Sequence, residues 1–120
     1  MSGPPPSLRA RTQASPDRRR ALFGGEGEVS VLDVTPRDAP FRAVLSCVLA
    51  PGGRVGRHRQ EGDDEIVFCL AGEGAIVVDD EAHHVRPGDV VFVARGAVLS
   101  IENLSVEEPL DYAIVKVAAR

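Results

Sequence analysis

From Val29 onward the chain is a succession of short, β-branched apolar runs cut by turn residues. No stretch holds apolar residues at helical spacing over three turns, so the pattern excludes a helical bundle and an α/β sheet alike. The runs are VSVLDV, FRAVLSCVLA, EIVFCLA, AIVVDD, HHVR, VVFVA, AVLSIEN and LDYAIVKVA. They are separated by turn signals such as Pro51-Gly52-Gly53, Gly72-Glu73-Gly74 and Pro87-Gly88-Asp89. With the intervening segment around His58, this amounts to about nine strands at spacings near ten residues. An all-β chain of that kind must pair or close its sheets to remove open edges, which predicts a sandwich or barrel.

The first twenty residues, MSGPPPSLRARTQASPDRRR, differ in kind. They carry three consecutive prolines, few apolar residues and no periodicity, and are expected to form a disordered Pro/Arg-rich tail, with one β domain over 21–120. Charge divides the same way. The tail holds Arg9, Arg11, Arg18, Arg19 and Arg20 against Asp17, a balance of +4, whereas the remainder has nine basic against seventeen acidic groups, a balance of −8. An acidic body, in a chain of which only 4% of residues are aromatic, argues against a nucleic-acid platform, because phosphate contacts need basic surface and base stacking needs rings. No apolar run approaches the ~20 residues needed to span a bilayer as a helix. Cys47 and Cys69 both fall inside apolar runs, where buried, reduced thiols are expected, and the cytoplasm is the expected compartment. Thirteen of fourteen basic residues are arginine, a composition that suggests a GC-rich bacterial genome.

The chemistry-bearing stretch is GRVGRHRQEGDDEIVFCLAGEG, residues 53–74. Residues i and i+2 of a strand share a face, so His58 and Gln60 point one way and Arg57 and Arg59 the other; Glu65, Val67 and Cys69 share a face of the next strand. If both faces look into a closed barrel, an imidazole, a carboxamide and a carboxylate converge beside valine and a thiol. A carboxylate in such a place needs a partner, and His58 and Gln60 are suited to supply it.

These residues sit at a spacing that resembles the cupin superfamily. Gly52, His58, Gln60, Glu65 and Gly72 match the first family motif, with Gln60 in place of its second histidine. Gly88, Ala94, Gly96, Leu99 and Asn103 match the second, with alanine for its proline and leucine for its histidine. The resemblance implies an all-β double-stranded β-helix, the cupin or jelly-roll barrel. It also implies a homodimer, a mouth that holds a divalent metal in many members and none in others, and a structural role for Asn103. Family activities run from dioxygenases, isomerases, epimerases and decarboxylases to sugar binding and seed storage, so the fold alone selects no reaction.

Two of four family ligands are changed. His58, Gln60 and Glu65 remain as candidate ligands for manganese, iron, nickel or zinc; glutamine can ligate through oxygen, but Leu99 cannot ligate at all. The expectation is therefore a barrel with no cofactor that binds a small polar or acidic molecule. His58, Gln60 and Glu65 are its polar anchors, and Val67, Cys69, Leu99 and Ile101 its apolar wall. The alternative is an enzyme, either a three-ligand metallo-cupin or a metal-free isomerase, lyase or cyclase acting on a small carbonyl or sugar-like compound, with His58 and Glu65 as catalytic acid and base. Dimerisation is expected through the apolar end segments VSVLDV and LDYAIVKVA, read as strands with open edges. Adjacent His83 and His84 face opposite sides of a strand and cannot chelate one ion together; the acidic Glu61, Asp63 and Asp64 read as a solvated turn, and Arg54, Arg57, Arg59 and Arg95 as surface ion-pair partners.

Overall fold

The computed structural model describes residues 15–37 and 40–118. Ten strands follow one another: β1 (Asp17–Arg20), β2 (Glu28–Asp33), β3 (Phe41–Leu49), β4 (Arg54–Arg59), β5 (Asp63–Ala71), β6 (Gly74–Val78), β7 (Glu81–Val85), β8 (Val90–Val93), β9 (Val98–Asn103) and β10 (Leu110–Ala118). They form two antiparallel sheets, one of six strands ordered β1-β2-β3-β10-β5-β8 and one of four ordered β4-β9-β6-β7. The all-β architecture expected from the turn spacing, and the jelly-roll barrel implied by the family resemblance, are therefore observed. None of the helices among the described residues is long and apolar enough to cross a membrane.

Period-two alternation decides which side chains enter the barrel. On β5 the inward set is Glu65, Val67 and Cys69, all buried; on β9 it is Leu99, Ile101 and Asn103. Val29, Cys47, Leu49, Leu110 and Tyr112 of the large sheet pack over Val55, Ile76, Val85, Leu99 and Ile101 of the small one. The turns fit their residues. Asp79 and Asp80 adopt left-handed φ values of 49° and 67° between β6 and β7, the two-residue geometry that matches strand twist. Gly72 is required twice over, by φ of 90° and by Pro109 O, which would lie 2.4 Å from an added Cβ.

Asn103 does what the family motif implies. Buried at the end of β9, its Nδ2 donates to the carbonyls of Leu49, Ala50 and Glu108 at 3.2, 3.1 and 2.8 Å, and its Oδ1 accepts from Ser105 N at 2.9 Å. One side chain thus ties the β3–β4 turn to the β9–β10 loop, and it lies too deep to accept a glycan in the folded state. Both cysteines are free and buried.

Two expectations need correction. Residues 1–14 of the supposed tail lie outside the described residues, but Asp17–Arg20 is strand rather than coil: it pairs with β2 in register Asp17↔Val31 to Arg20↔Glu28. Charged DRRR reads as solvated chain because an edge strand with both faces wet needs no apolar alternation. The open-edge argument for dimerisation also falls. β2 lies between β1 and β3, and β10 between β3 and β5, so neither segment is an edge.

The large sheet nevertheless presents an unusual outer face. Val48, Phe68, Leu70, Val90 and Phe92 are all exposed, Phe92 at 61%; the registers set Phe68 beside Val90 and Ala113, Phe92 beside Ile66, and Val48 beside Asp111.

Candidate functional site

β4 carries His58 and, just beyond its end, Gln60. A register shift between Val55 and His58 bends the strand against β9, and His58 faces Leu99 across the ladder. Inside the barrel lies a cavity of about 560 Å³, in the range of small-molecule sites. His58, Gln60, Glu65, Leu99 and Ile101 line it, so five of the seven anticipated site residues are brought together. Val67 and Cys69 do share the inward face of β5, but they are fully buried and do not line the cavity. The Cys69 thiol instead packs over Gly72 O at 3.9 Å.

Glu65 is only 2% exposed, and its partner is not the one anticipated. Neither His58 nor Gln60 bonds it. Glu65 forms an ion pair with Lys116, Nζ standing 3.7 Å from Oε1, because Glu65 and Lys116 are directly opposite in the β5–β10 register and so must share a face. Oε2 has no partner at all. Burial pushes the Glu65 carboxyl above its ordinary value, and the Lys116 ammonium pulls it part of the way back.

His58 is held differently. Its Nδ1 lies 2.9 Å from Gly56 O; since a carbonyl only accepts, Nδ1 carries the proton and Nε2 is left with a free lone pair. Burial depresses the His58 pKa, the Gly56 bond opposes that, and Lys116 adds to the depression. Phe23 stacks on the imidazole with ring centroids 4.0 Å apart and planes inclined by 15°. This stack depends on a close backbone approach. The turn Leu22–Gly24, with Phe23 at a left-handed φ of 52°, lies so near β4 that an added Cβ on Gly56 would sit 1.9 Å from Phe23 O.

Sequence reasoning missed several lining residues. Lys116, Tyr112 and Ile114 come from the inward face of β10, and Cys47 and Leu45 from β3. Their signal was present: Leu110, Tyr112, Ile114 and Lys116 are spaced by two, which puts the chain's single lysine on an otherwise apolar face. Asp17 and Arg19, paired at 2.7 Å, line the mouth from β1 and carried no such signal. Cys47 is not a reactive thiol, since burial pushes it up to about 12.

The remaining candidates lie elsewhere. His84 pairs with Glu73 at 3.1 Å on the surface, and His83 does not line the cavity. Arg57 and Arg54 reach Asp80 and Glu26 at 3.0 and 3.8 Å, whereas Arg59 lines the cavity mouth and donates to Gly96 O at 2.6 Å. The acidic residues do not form a solvated turn: Asp63 and Asp64 open β5, where pairing with β10 holds them in the ladder, Asp64 accepts from Arg95 N at 3.0 Å and Asp63 approaches Arg42 at 3.4 Å, while Glu61 lines the cavity.

The donor set fits a divalent metal poorly. Of the three candidate ligands one is a neutral amide, and the carboxylate already faces an ammonium whose charge would repel a cation. Leu99 puts hydrocarbon where the family motif has its second-motif histidine. Among the described residues no three His, Cys, Asp or Glu side chains are grouped so as to hold an ion.

Comparison with known proteins agrees with the geometry. A family model described as the cupin domain matches residues 45–116. The oxalate-binding protein of Thermotoga maritima is 34% identical over 95 residues, covering 77% of this chain and 78% of that protein. Among solved structures, a predicted oxalate decarboxylase from Thermotoga maritima superposes with a TM-score of 0.84 at 30% identity, over 92% of this chain and 99% of that one. A cupin 2 conserved barrel domain protein from Salinispora arenicola gives 0.68 at 22% identity, over 99% and 89% of the two chains, a likeness of fold. By its motif spacing, its two-sheet barrel and these relatives, the chain belongs to the cupin family.

Proposed function

We propose that this protein is a small-molecule-binding cupin that takes a polar or acidic ligand into the barrel mouth without a metal. The observation that carries the reading is the composition of the cavity: buried Glu65 with an unpartnered oxygen, His58 with a free Nε2, Gln60 and Lys116 converge against Leu99 and Ile101. A few convergent polar groups on an apolar wall are the signature of a ligand site. The name of the Thermotoga maritima relative, an oxalate-binding protein, supports binding of a small acid. The test is metal analysis of protein purified without chelator, followed by thermal-shift screening of small acids and sugars. Ligand-dependent stabilisation of metal-free protein is expected; near-stoichiometric manganese, iron, nickel or zinc that disappears in Glu65→Ala would overturn the metal-free site.

One observation favours an enzymatic reading. The surroundings push the two titratable groups oppositely, His58 down and Glu65 up, as in acid–base pairs. On that reading the protein is a metal-free isomerase, lyase or cyclase acting on a small carbonyl or sugar-like compound. Activity abolished by His58→Ala with the fold retained would support it; inertness towards a broad substrate panel would count against it.

We also infer a cytoplasmic homodimer joined through the outer face of the large sheet. The five exposed apolar side chains there leave roughly 400 Å² uncovered, taking ~200 Å² for a whole aromatic side chain. That is about half of the ~800 Å² per partner of a stable interface, and the half-buried neighbours supply part of the rest. Such an apolar patch, with Asp111 beside Val48, can meet its own copy about a two-fold axis. Sedimentation should give a dimer that Phe92→Lys converts to monomer; a wild-type monomer at working concentration rejects the inference.

A further inference from the structure

The lysine beside Glu65 narrows the ligand, granted the reading of the mouth as a binding site. We infer that the cavity is a metal-independent site for a small α-hydroxycarboxylate, with Lys116 taking the carboxylate and Glu65 Oε2 accepting the hydroxyl hydrogen.

The donors and acceptors of the cavity select the ligand. Lys116 is the chain's single lysine, lines the cavity, and approaches Glu65 through one oxygen at 3.7 Å, so its ammonium keeps donors free for an anion. Glu65 Oε1 faces that ammonium, and Oε2, buried and without a partner, is left as an acceptor. His58 Nδ1 is committed to Gly56 O, so Nε2 is a second acceptor on the cavity wall. Together Lys116, Glu65 Oε2 and His58 Nε2 suit a ligand that carries a negative group and, close beside it, a hydrogen-bond donor, while Gln60, Tyr112, Arg19 and Arg59 also line the cavity. A bare dicarboxylate such as oxalate has no donor at neutral pH and would set an anionic oxygen against Glu65. An α-hydroxy acid carries both groups on adjacent carbons.

The walls add a further selection. Val55, Leu99, Ile101 and Ile114 face a cavity of about 560 Å³, more than a two-carbon acid fills, so a branched aliphatic side chain on the acid is accommodated. The family's cation is thereby replaced by an ammonium supplied from β10, and the missing imidazole of the second motif by hydrocarbon that packs on the ligand.

The test is calorimetric titration of chelator-treated dimer or monomer, whichever exists in solution, with 2-hydroxyisocaproate, its des-hydroxy acid isocaproate, the 2-oxo acid, oxalate and a panel of neutral sugars. The hydroxy acid is expected to bind at least tenfold more tightly than isocaproate, because a site built to hydrogen-bond a hydroxyl rejects the analogue without one. It is also expected to bind tenfold more tightly than oxalate. Lys116→Met should cost the hydroxy acid at least tenfold, and Lys116→Arg should recover part of that. As Lys116→Met leaves Glu65 alone, the double variant Glu65→Leu/Lys116→Met provides a folded control, which should lose the discrimination between the hydroxy and des-hydroxy acids. Equal or tighter binding of oxalate by metal-free protein, or binding of any acid only after manganese is added, overturns the inference. Binding of neutral sugars but no acids overturns it too, yet leaves the proposed binding function standing. No binding by any of these compounds sinks both.

Discussion

Replacing Lys116 by methionine isolates the electrostatics on which the site depends. Glu65 is 2% exposed and loses its one charged partner, so the variant leaves a buried carboxylate with neither oxygen paired. Breaking a buried ion pair from one side costs ~3–5 kcal/mol. The full figure does not apply here, because Nζ stands at 3.7 Å and the Lys116 side chain keeps 29% of its surface, so solvent already weakens the pair. About 2 kcal/mol is the expected loss at pH 7, which lowers the urea midpoint by roughly 1.5 M for a domain of this size. The sign with pH follows. Without the ammonium, the folded-state pKa of Glu65 rises further above its unfolded value, so the folded form holds the proton more tightly. Stability then improves as pH falls through the folded pKa and is lost as pH rises. Urea denaturation should therefore show a deficit that is largest at pH 7 and shrinks by pH 5. Glu65→Leu/Lys116→Met removes both charges and should be at least as stable as wild type, since apolar replacement of a buried pair is neutral or favourable. If Lys116→Met unfolds at the wild-type midpoint at both pH values, Glu65 is not a buried carboxylate held by Lys116, and the account of the cavity fails.

Other consequences are equally open to measurement. Asn103→Ala strips partners from three carbonyls and one amide at once, and should cost about 3 kcal/mol in urea unfolding; a loss below about 1 kcal/mol would mean that water replaces them freely. His58→Gln should flatten the acid limb of stability: burial holds the folded-state pKa below the ordinary 6.5, so wild-type stability falls as pH drops below that value, by at most ~1.4 kcal/mol per unit. Glu65, shifted the other way, does not supply that loss. Gly56→Ala forces backbone apart at the Phe23 carbonyl and should destabilise by ~1–3 kcal/mol. It should also abolish the ring-current shift that Phe23 places on the His58 proton resonances, whereas unchanged resonances would show the stack to be independent of that approach.

Much of this protein was legible from residue order, because β periodicity is a local property. The turn-punctuated valine and isoleucine runs determined an all-β chain of paired or closed sheets, and i, i+2 spacing correctly sent Glu65, Val67 and Cys69 inward and placed His58 and Gln60 on one wall. Motif spacing determined the cupin family and the role of Asn103. Which inward residues meet was not local. The register of β5 against β10, strands joined across some forty residues, decides that Lys116 and not His58 faces Glu65; the packing of both sheets decides that Val67 and Cys69 are wholly buried while Ile114 and Tyr112, opposite them, line the cavity. The strand formed by DRRR escaped notice because hydrogen bonding to β2, rather than any preference of its own charged side chains, makes it a strand. Alternation tells a residue which face it occupies, but only pairing between distant segments determines what stands opposite, and in this barrel the chemistry of the site is set by what stands opposite Glu65.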